Sequence, residues 1–162
     1  MTLIIRPATK DDLESIEEIE KDAFPEHRRA SAKTIRKRLE LFPEGFYVSE
    51  AEGDIVGFTT ALITAELTLE ELEPPDEELH DWEGSVYYLR SVAVKKKYQK
   101  KSYGKLLVEA QLRTAEYLGK KIFRFTASKD VAGFYKKLGF KKITKYKKFY
   151  GSMQALWEKI IS

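Results

Sequence analysis

The chain contains no cysteine, no asparagine and only two histidines in 162 residues, and each shortage removes a class of chemistry. Without cysteine there is no disulfide, no thiol nucleophile and no thiolate metal site, and two histidines are too few for a histidine-rich one. No metal is expected. No apolar run approaches the length of a transmembrane helix. The first residues, Met1-Thr2-Leu3-Ile4-Ile5-Arg6, lack the basic start, long apolar stretch and small-residue cleavage site of a signal peptide. No membrane partner is expected, and the expected compartment is the cytoplasm. Missing asparagine and cysteine, beside 34% charged residues, point towards a thermophilic source.

What is present suits one compact α/β domain spanning residues 1–162, with 43% hydrophobic residues and no repeat, linker or low-complexity tract. Its most informative stretch begins with Tyr87-Tyr88-Leu89-Arg90-Ser91-Val92-Ala93-Val94, an apolar, β-branched run of strand length. A basic turn follows, Lys95-Lys96-Lys97-Tyr98-Gln99-Lys100-Lys101-Ser102-Tyr103-Gly104, and residues 105–118 place Leu106, Leu107, Ala110, Thr114 and Leu118 on one side of a helix. Strand, basic turn and helix together make an anion cradle. The first helical turn offers unpartnered N–H groups and the positive end of a dipole, to which the lysines add Coulomb attraction. With one glycine and no Gly-Lys-Ser/Thr ending, the turn is neither a P-loop nor a dinucleotide fingerprint.

The rest of the chain reads as ordered segments around this centre. A strand over residues 2–8 leads, through Thr9 as N-cap with Asp12 three residues on, to a helix carrying Leu13, Ile16, Ile19 and Ala23, and a second helix is expected over residues 31–41. Residues 46–50 and 55–63 form a hairpin about Glu52-Gly53-Asp54. A strand at 121–126, a helix at 129–138 and a hairpin of 140–149 with 152–160 about Tyr150-Gly151 complete the order. Residues 66–83 hold nine acids (Glu66, Glu70, Glu71, Glu73, Asp76, Glu77, Glu78, Asp81, Glu83) and no lysine or arginine. Long for a connection, this stretch reads as a flap that draws in a cation, opposite in sign to the basic turn.

The spacing Gln99-x-x-Ser102-x-Gly104 resembles the Gln/Arg-x-x-Gly-x-Gly/Ala signature of the GNAT (Gcn5-related) N-acetyltransferases, with Ser102 at the usual first glycine. Downstream, Gly133-Phe134-Tyr135-Lys136-Lys137-Leu138-Gly139-Phe140 resembles that family's Phe-Tyr-x-x-x-Gly-Phe segment. Further likeness, to an arylalkylamine N-acetyltransferase-like subgroup, lies in Asp22-Ala23-Phe24-Pro25, Phe42-Pro43-Glu44-Gly45-Phe46 and Leu79-His80-Asp81. The resemblance implies a GNAT-like acyl-CoA N-acyltransferase fold, a mixed and mostly antiparallel sheet splayed at its central strands with helices on both faces. It also implies acetyl-CoA as co-substrate and direct acetyl transfer to a primary amine, arylalkylamine or polyamine, with a protein lysine or amino terminus as the alternative acceptor. A homodimer is a further possibility.

By the same resemblance, acetyl-CoA would be held by Val92, Ala93, Val94, Gln99, Lys100, Lys101, Ser102, Tyr103, Gly104, Lys105 and Tyr135. The Val92 N–H would meet the oxyanion and Tyr135 would act as general acid. Tyr88, at a position where related enzymes carry histidine or glutamate, would orient a proton-relaying water. Phe24, Trp82, Glu83 and Tyr88 would seat the amine. No histidine or carboxylate stands on the central strand to serve as base, which leaves His80, Asp81 or Glu83 to accept the proton. Two other classes compete: a non-catalytic acyl-CoA-binding module, and a lysine-rich nucleic-acid module built on residues 136–148 with Tyr146, Phe149 and Tyr150 interleaved. The acidic flap argues against the latter, and no nucleic-acid partner is expected.

Overall fold

A computed structural model describes residues 2–99 and 101–161. The chain divides into two compact units, Met1–Ala61 with Ser91–Thr114, and Leu62–Arg90 with Ala115–Ser162. Strand order is β1-β2-β3-β4-β5-β8-β6, with β7 also on β8, for β1 (Leu3–Pro7), β2 (Tyr47–Ala51), β3 (Asp54–Thr64), β4 (Val86–Val94), β5 (Ile122–Ser128), β6 (Lys141–Lys142), β7 (Lys147–Phe149) and β8 (Ser152–Ile160). Every ladder but one is antiparallel among those described; β4 and β5 are parallel. The expected mixed, mostly antiparallel sheet is what forms.

In the first unit, Thr9 and Asp12 start the helical segment as the sequence suggests. The Thr9 N–H donates to Asp12 Oδ2 at 2.7 Å, and Arg6 holds the same carboxylate through two further bonds of 2.8 and 2.9 Å. A 3₁₀ turn, Lys10–Asp12, leads into α1 (Leu13–Ala23). Ser31 caps α2 (Ala32–Leu41) by accepting from the Thr34 N–H at 3.1 Å. Leu13, Ile16 and Ile19 of α1 and Ile35 and Leu39 of α2 fall at helical spacing, so both helices bury one stripe against Val48, Phe58 and Ala93. A second cluster joins Val56, Val94, Tyr103 and Leu107. It seats the first part of α4 (Tyr103–Tyr117) against the strands.

In the second unit, β4 pairs with β5 only from Val86↔Ile122 to Tyr88↔Arg124, while β5 pairs with β8 along its whole length. The β4–β5 ladder thus ends at Tyr88. α5 (Ala132–Lys137) is shorter than expected because residues Lys129–Val131 form a 3₁₀ turn instead. Gly139 closes α5 at φ +91°, with the Phe140 N–H returning to the Tyr135 carbonyl at 3.1 Å. The expected 140–149 strand is broken into β6 and β7. Between them the Thr144 hydroxyl, rather than a backbone carbonyl, accepts from the Leu156 N–H at 2.9 Å, which interrupts the regular ladder. Tyr150-Gly151 turns the hairpin with both φ positive, +49° and +78°.

The acidic stretch departs most from expectation. It contains a 3₁₀ turn, Glu70–Leu72, and the short helix α3 (Asp76–Leu79). Leu69, Leu72 and Leu79 are buried with Leu62, Val86, Tyr88, Phe149 and Leu156. It is a packed wall of the second unit and not a solvated flap.

Candidate active site

The anion cradle belongs to the first unit. β4 ends at Val94, the Lys95 N–H donates to the Val56 carbonyl at 2.9 Å, and the Lys96 N–H donates to Asp22 Oδ2 at 2.7 Å. A 3₁₀ turn, Lys96–Tyr98, follows, and Gln99 Nε2 reaches back to the Val94 carbonyl at 2.9 Å. The Tyr98 ring stacks on Tyr103 with centroids 6.1 Å apart and takes the ammonium groups of Lys97 and Lys101 at 5.2 and 5.8 Å from its centroid. Cations at this distance from a ring are attracted by its quadrupole. Two lysines are thereby kept at the turn. Lys100 lies outside the described residues.

Ser102 adopts φ +66°, and α4 begins at the next residue, with the Leu106 N–H donating to the Ser102 carbonyl at 3.2 Å. The left-handed turn explains why a glycine is usual at this point of the motif: only glycine adopts it without steric cost. The N–H groups of Tyr103, Gly104 and Lys105 are the first of the helix and have no intrahelical acceptor. A left-handed residue followed by successive free N–H groups and flanked by lysines is a fitting cradle for a pyrophosphate.

Above the cradle, β4 is held by polar groups that the sequence reading did not single out. Thr59 Oγ1 donates to the Ser91 carbonyl at 2.7 Å and Thr60 Oγ1 lies 2.6 Å from Ser91 Oγ. Gln111 Nε2 donates to Thr59 Oγ1 at 3.2 Å and to the Gly45 carbonyl at 2.7 Å. Gly57 lets β3 approach, because a Cβ there would stand 2.9 Å from the Ala93 carbonyl and 2.7 Å from Ser49 Oγ. The signal for Gly57 was a lone glycine inside a strand pattern, which marks close backbone approach. Together these groups fix Ser91 and Ala93, the neighbours of Val92, so the Val92 backbone is held from both sides.

The second unit carries the phenols. Tyr88 is buried, its hydroxyl donates to Thr126 Oγ1 over a long 3.4 Å, and burial raises its pKa above the ordinary value. It stays protonated near neutral pH and is no base. Tyr135, on α5, packs its ring on Phe125 at 4.1 Å and edge-on to Phe134 and Phe140. Burial pushes its phenol up to about 12. Among the described residues its hydroxyl has no hydrogen-bond partner, so the proton is available to a ligand.

The candidates for the amine fall in both units. Phe24 packs in the first unit, with Arg28 over its ring at 5.8 Å. Trp82 and Glu83, both exposed, lie in the turn before β4, where Lys120 Nζ donates to the Trp82 carbonyl at 3.0 Å. The supposed bases are engaged in structure: His80 Nδ1 accepts from the Ile63 N–H at 3.2 Å and Asp81 Oδ1 from the Glu83 N–H at 3.0 Å. Arg90, two residues beyond Tyr88 on the same face of β4, is buried against Asp76 at 3.0 Å. The Tyr150 hydroxyl accepts from Arg90 Nη2 at 3.3 Å and donates to the Glu73 carbonyl at 3.0 Å. No group of three or more acids or histidines is placed to hold a metal ion among the described residues, and none of the described helices is long and apolar enough to cross a membrane.

The family model of the acetyltransferase (GNAT) family matches residues 13–140. A probable hydrolase of Bacillus subtilis (strain 168), YhcX, is 27% identical over 133 residues, 74% of this chain, and the chain spans about a quarter of that protein's length. Among solved structures, the GNAT-like decarboxylase GphF in complex with isobutyryl-CoA superposes with TM-score 0.83 at 21% identity, covering 98% of this chain and 100% of that one. The ribosomal-protein-S18-alanine N-acetyltransferase of Escherichia coli superposes with TM-score 0.73 at 19% identity, covering 99% and 95%.

Proposed function

The chain belongs to the acetyltransferase (GNAT) family, and we propose that it is an acetyl-CoA-dependent acyltransferase that acetylates a small primary amine directly, an arylalkylamine or polyamine. The single observation behind this reading is the cradle: a left-handed Ser102 opening α4 at the end of the strand that carries Val92. When bound, acetyl-CoA supplies an acyl group activated as a thioester. Ser102, Tyr103, Gly104 and Lys105 hold the pyrophosphate by backbone N–H groups, with Lys101 adding charge, while Gln99, its N–H on the Lys96 carbonyl and its Nε2 on the Val94 carbonyl, shapes the turn. The backbone of Val92, Ala93 and Val94 pairs with the pantetheine arm, and the Val92 N–H points a donor at the oxygen where negative charge develops.

Tyr135 is the proposed proton-bearing donor to the sulfur. A phenol at about 12 is a far weaker acid than a thiol of pKa roughly 8.5. Its part is therefore to donate a hydrogen bond to the developing negative charge, with full transfer favoured only as that sulfur is itself desolvated. With His80 and Asp81 engaged and Tyr88 protonated, the amine's proton leaves through water to solvent.

The test is acetyl-CoA binding by calorimetry together with thiol release over a panel of arylalkylamines, polyamines and basic peptides. Gly104→Val places a branched side chain against the ligand's path and is expected to abolish binding, and an unchanged affinity would remove the cradle. The name of the E. coli neighbour, an alanine N-acetyltransferase of a ribosomal protein, favours a protein amino terminus as the second reading. Release with basic peptides alone would select it. Binding without release to any amine would select a non-catalytic acyl-CoA module.

A further inference from the structure

Within the second unit lies a cavity of about 360 Å³, walled by Glu66, Glu70, Arg124 and Lys147 over a floor that includes Leu69 and Leu156. Its size falls within the roughly 300–1,000 Å³ usual for small-molecule sites. Arg124 stands directly across the β4–β5 ladder from Tyr88, so the two side chains share one face of the sheet. Its side chain is 13% exposed and contacts two carboxylates of unequal standing. Glu158, 21% exposed, accepts from Nε at 2.8 Å and lies 2.7 Å from Nη2. Glu66, 59% exposed, makes one contact of 3.1 Å. On the other wall, Lys147 and Glu70 meet through a single 3.3 Å contact, and each is more than half exposed. Exposed pairs of that kind are weak.

Two carboxylates and two cations line the same space, so a ligand with one sign of charge meets as much repulsion as attraction. A ligand carrying both signs can set each against its opposite. Arginine's planar fork suits a carboxylate, and the leucine floor suits an apolar side chain. We propose that this cavity recognises an amine bearing a carboxylate, an amino-acid-like zwitterion, as the acceptor. Its carboxylate displaces Glu66 from Arg124, and its ammonium group faces Glu70. The proposal rests on the acetyltransferase reading: an ammonium R–NH₃⁺ and acetyl-CoA give the amide and free CoA thiol, the C–N bond forming as C–S breaks, with one proton released to water.

Calorimetry on the full chain compares L-phenylalanine, phenethylamine, which lacks the carboxylate, and hydrocinnamate, which lacks the ammonium. Phenylalanine should bind at least tenfold more tightly than either. Glu66→Gln removes the internal competitor and should tighten phenylalanine several-fold, an effect that a purely structural salt bridge does not produce. Arg124→Gln should erase the preference; because it strands Glu158, the double variant Arg124→Gln/Glu158→Gln is measured beside it. Phenethylamine binding as tightly as phenylalanine, loosened phenylalanine binding in Glu66→Gln, or no binding by any probe would each overturn the proposal. Acetyl-CoA affinity, which involves neither residue, separates the two failures. If it persists while the zwitterion is ignored, only the acceptor assignment falls; if it is lost in the unaltered chain, the acetyltransferase reading falls too.

Discussion

Ser102 shows at the scale of one residue how a motif and its conformation are linked. A side chain at φ +66° is strained by roughly 1–2 kcal/mol, and in the proposed cradle its Cβ would narrow a phosphate's approach to the backbone. Ser102→Gly removes both. Relief of strain is offset by the greater freedom of glycine in the unfolded chain, so the melting temperature should move little while the acetyl-CoA Kd falls several-fold by calorimetry. A Kd that stays or rises would mean that the serine side chain is neutral or helps. For Tyr135, replacement by phenylalanine keeps the ring packing on Phe125 and removes the proton. The fold should persist and kcat fall on the order of 10²-fold. The donor works only while protonated, and a raised pKa extends the protonated range upward. Since burial places the phenol near 12 and an ordinary one titrates near 10, kcat should show no tyrosine limb through pH 10. A limb at the ordinary value, absent in Tyr135→Phe, would show that the phenol is solvated.

Among the elements, those encoded by short-range pattern were legible and those held by distant partners were not. α1, α2 and α4 follow from apolar spacing and local caps, and the tight turns at Glu52-Gly53 and Tyr150-Gly151 from turn chemistry, all within a few residues of sequence. The acidic stretch read as a flap because its polar residues outnumber Leu69, Leu72 and Leu79, and because nothing local reveals its anchors. Those anchors are Arg124 to Glu66, Lys147 to Glu70, Tyr150 to the Glu73 carbonyl and Arg90 to Asp76. The engagement of His80 and the pinning of Ser91 by Thr59 and Thr60 were hidden for the same reason. The lysines of β6 and β7 lie on short strands paired to β8, where charge discourages edge-to-edge association. Asp76→Asn tests the strongest anchor. It leaves the Arg90 guanidinium, 10% exposed, without its carboxylate, and the cost of breaking one side of a buried pair is about 3–5 kcal/mol. Urea denaturation should show such a loss, largely recovered by adding Arg90→Met. A cost below about 1 kcal/mol would mean that water reaches the pair.

Across the whole molecule the net charge of +3 conceals two opposed fields, one on the cradle and one on residues 66–83, and the structure changes what the second can do. Glu66, Glu70 and Asp76 are matched by Arg124, Lys147 and Arg90, so much of the expected cation-drawing charge is cancelled where it arises. Glu71, Glu73, Glu78, Asp81 and Glu83 remain exposed, and in water such charges act over a Debye length of about 8 Å at physiological salt. A bare arylalkylamine, carrying one positive charge, should feel that remainder: its KM should rise as salt is raised from low to physiological strength. The rise should shrink when Glu71, Glu73 and Glu78 are replaced together by glutamine. A zwitterion has no net charge to be steered, so its KM should change little under the same titration, although its contacts with Arg124 and Glu70 remain. Steady-state thiol release with phenethylamine and phenylalanine, each at several salt concentrations, compares the two directly. Equal salt dependence for both amines would show that local ion pairs and not the diffuse field govern entry. No dependence for either would show that the acidic stretch has its carboxylates consumed by anchoring, and that acceptor choice is decided by fit alone.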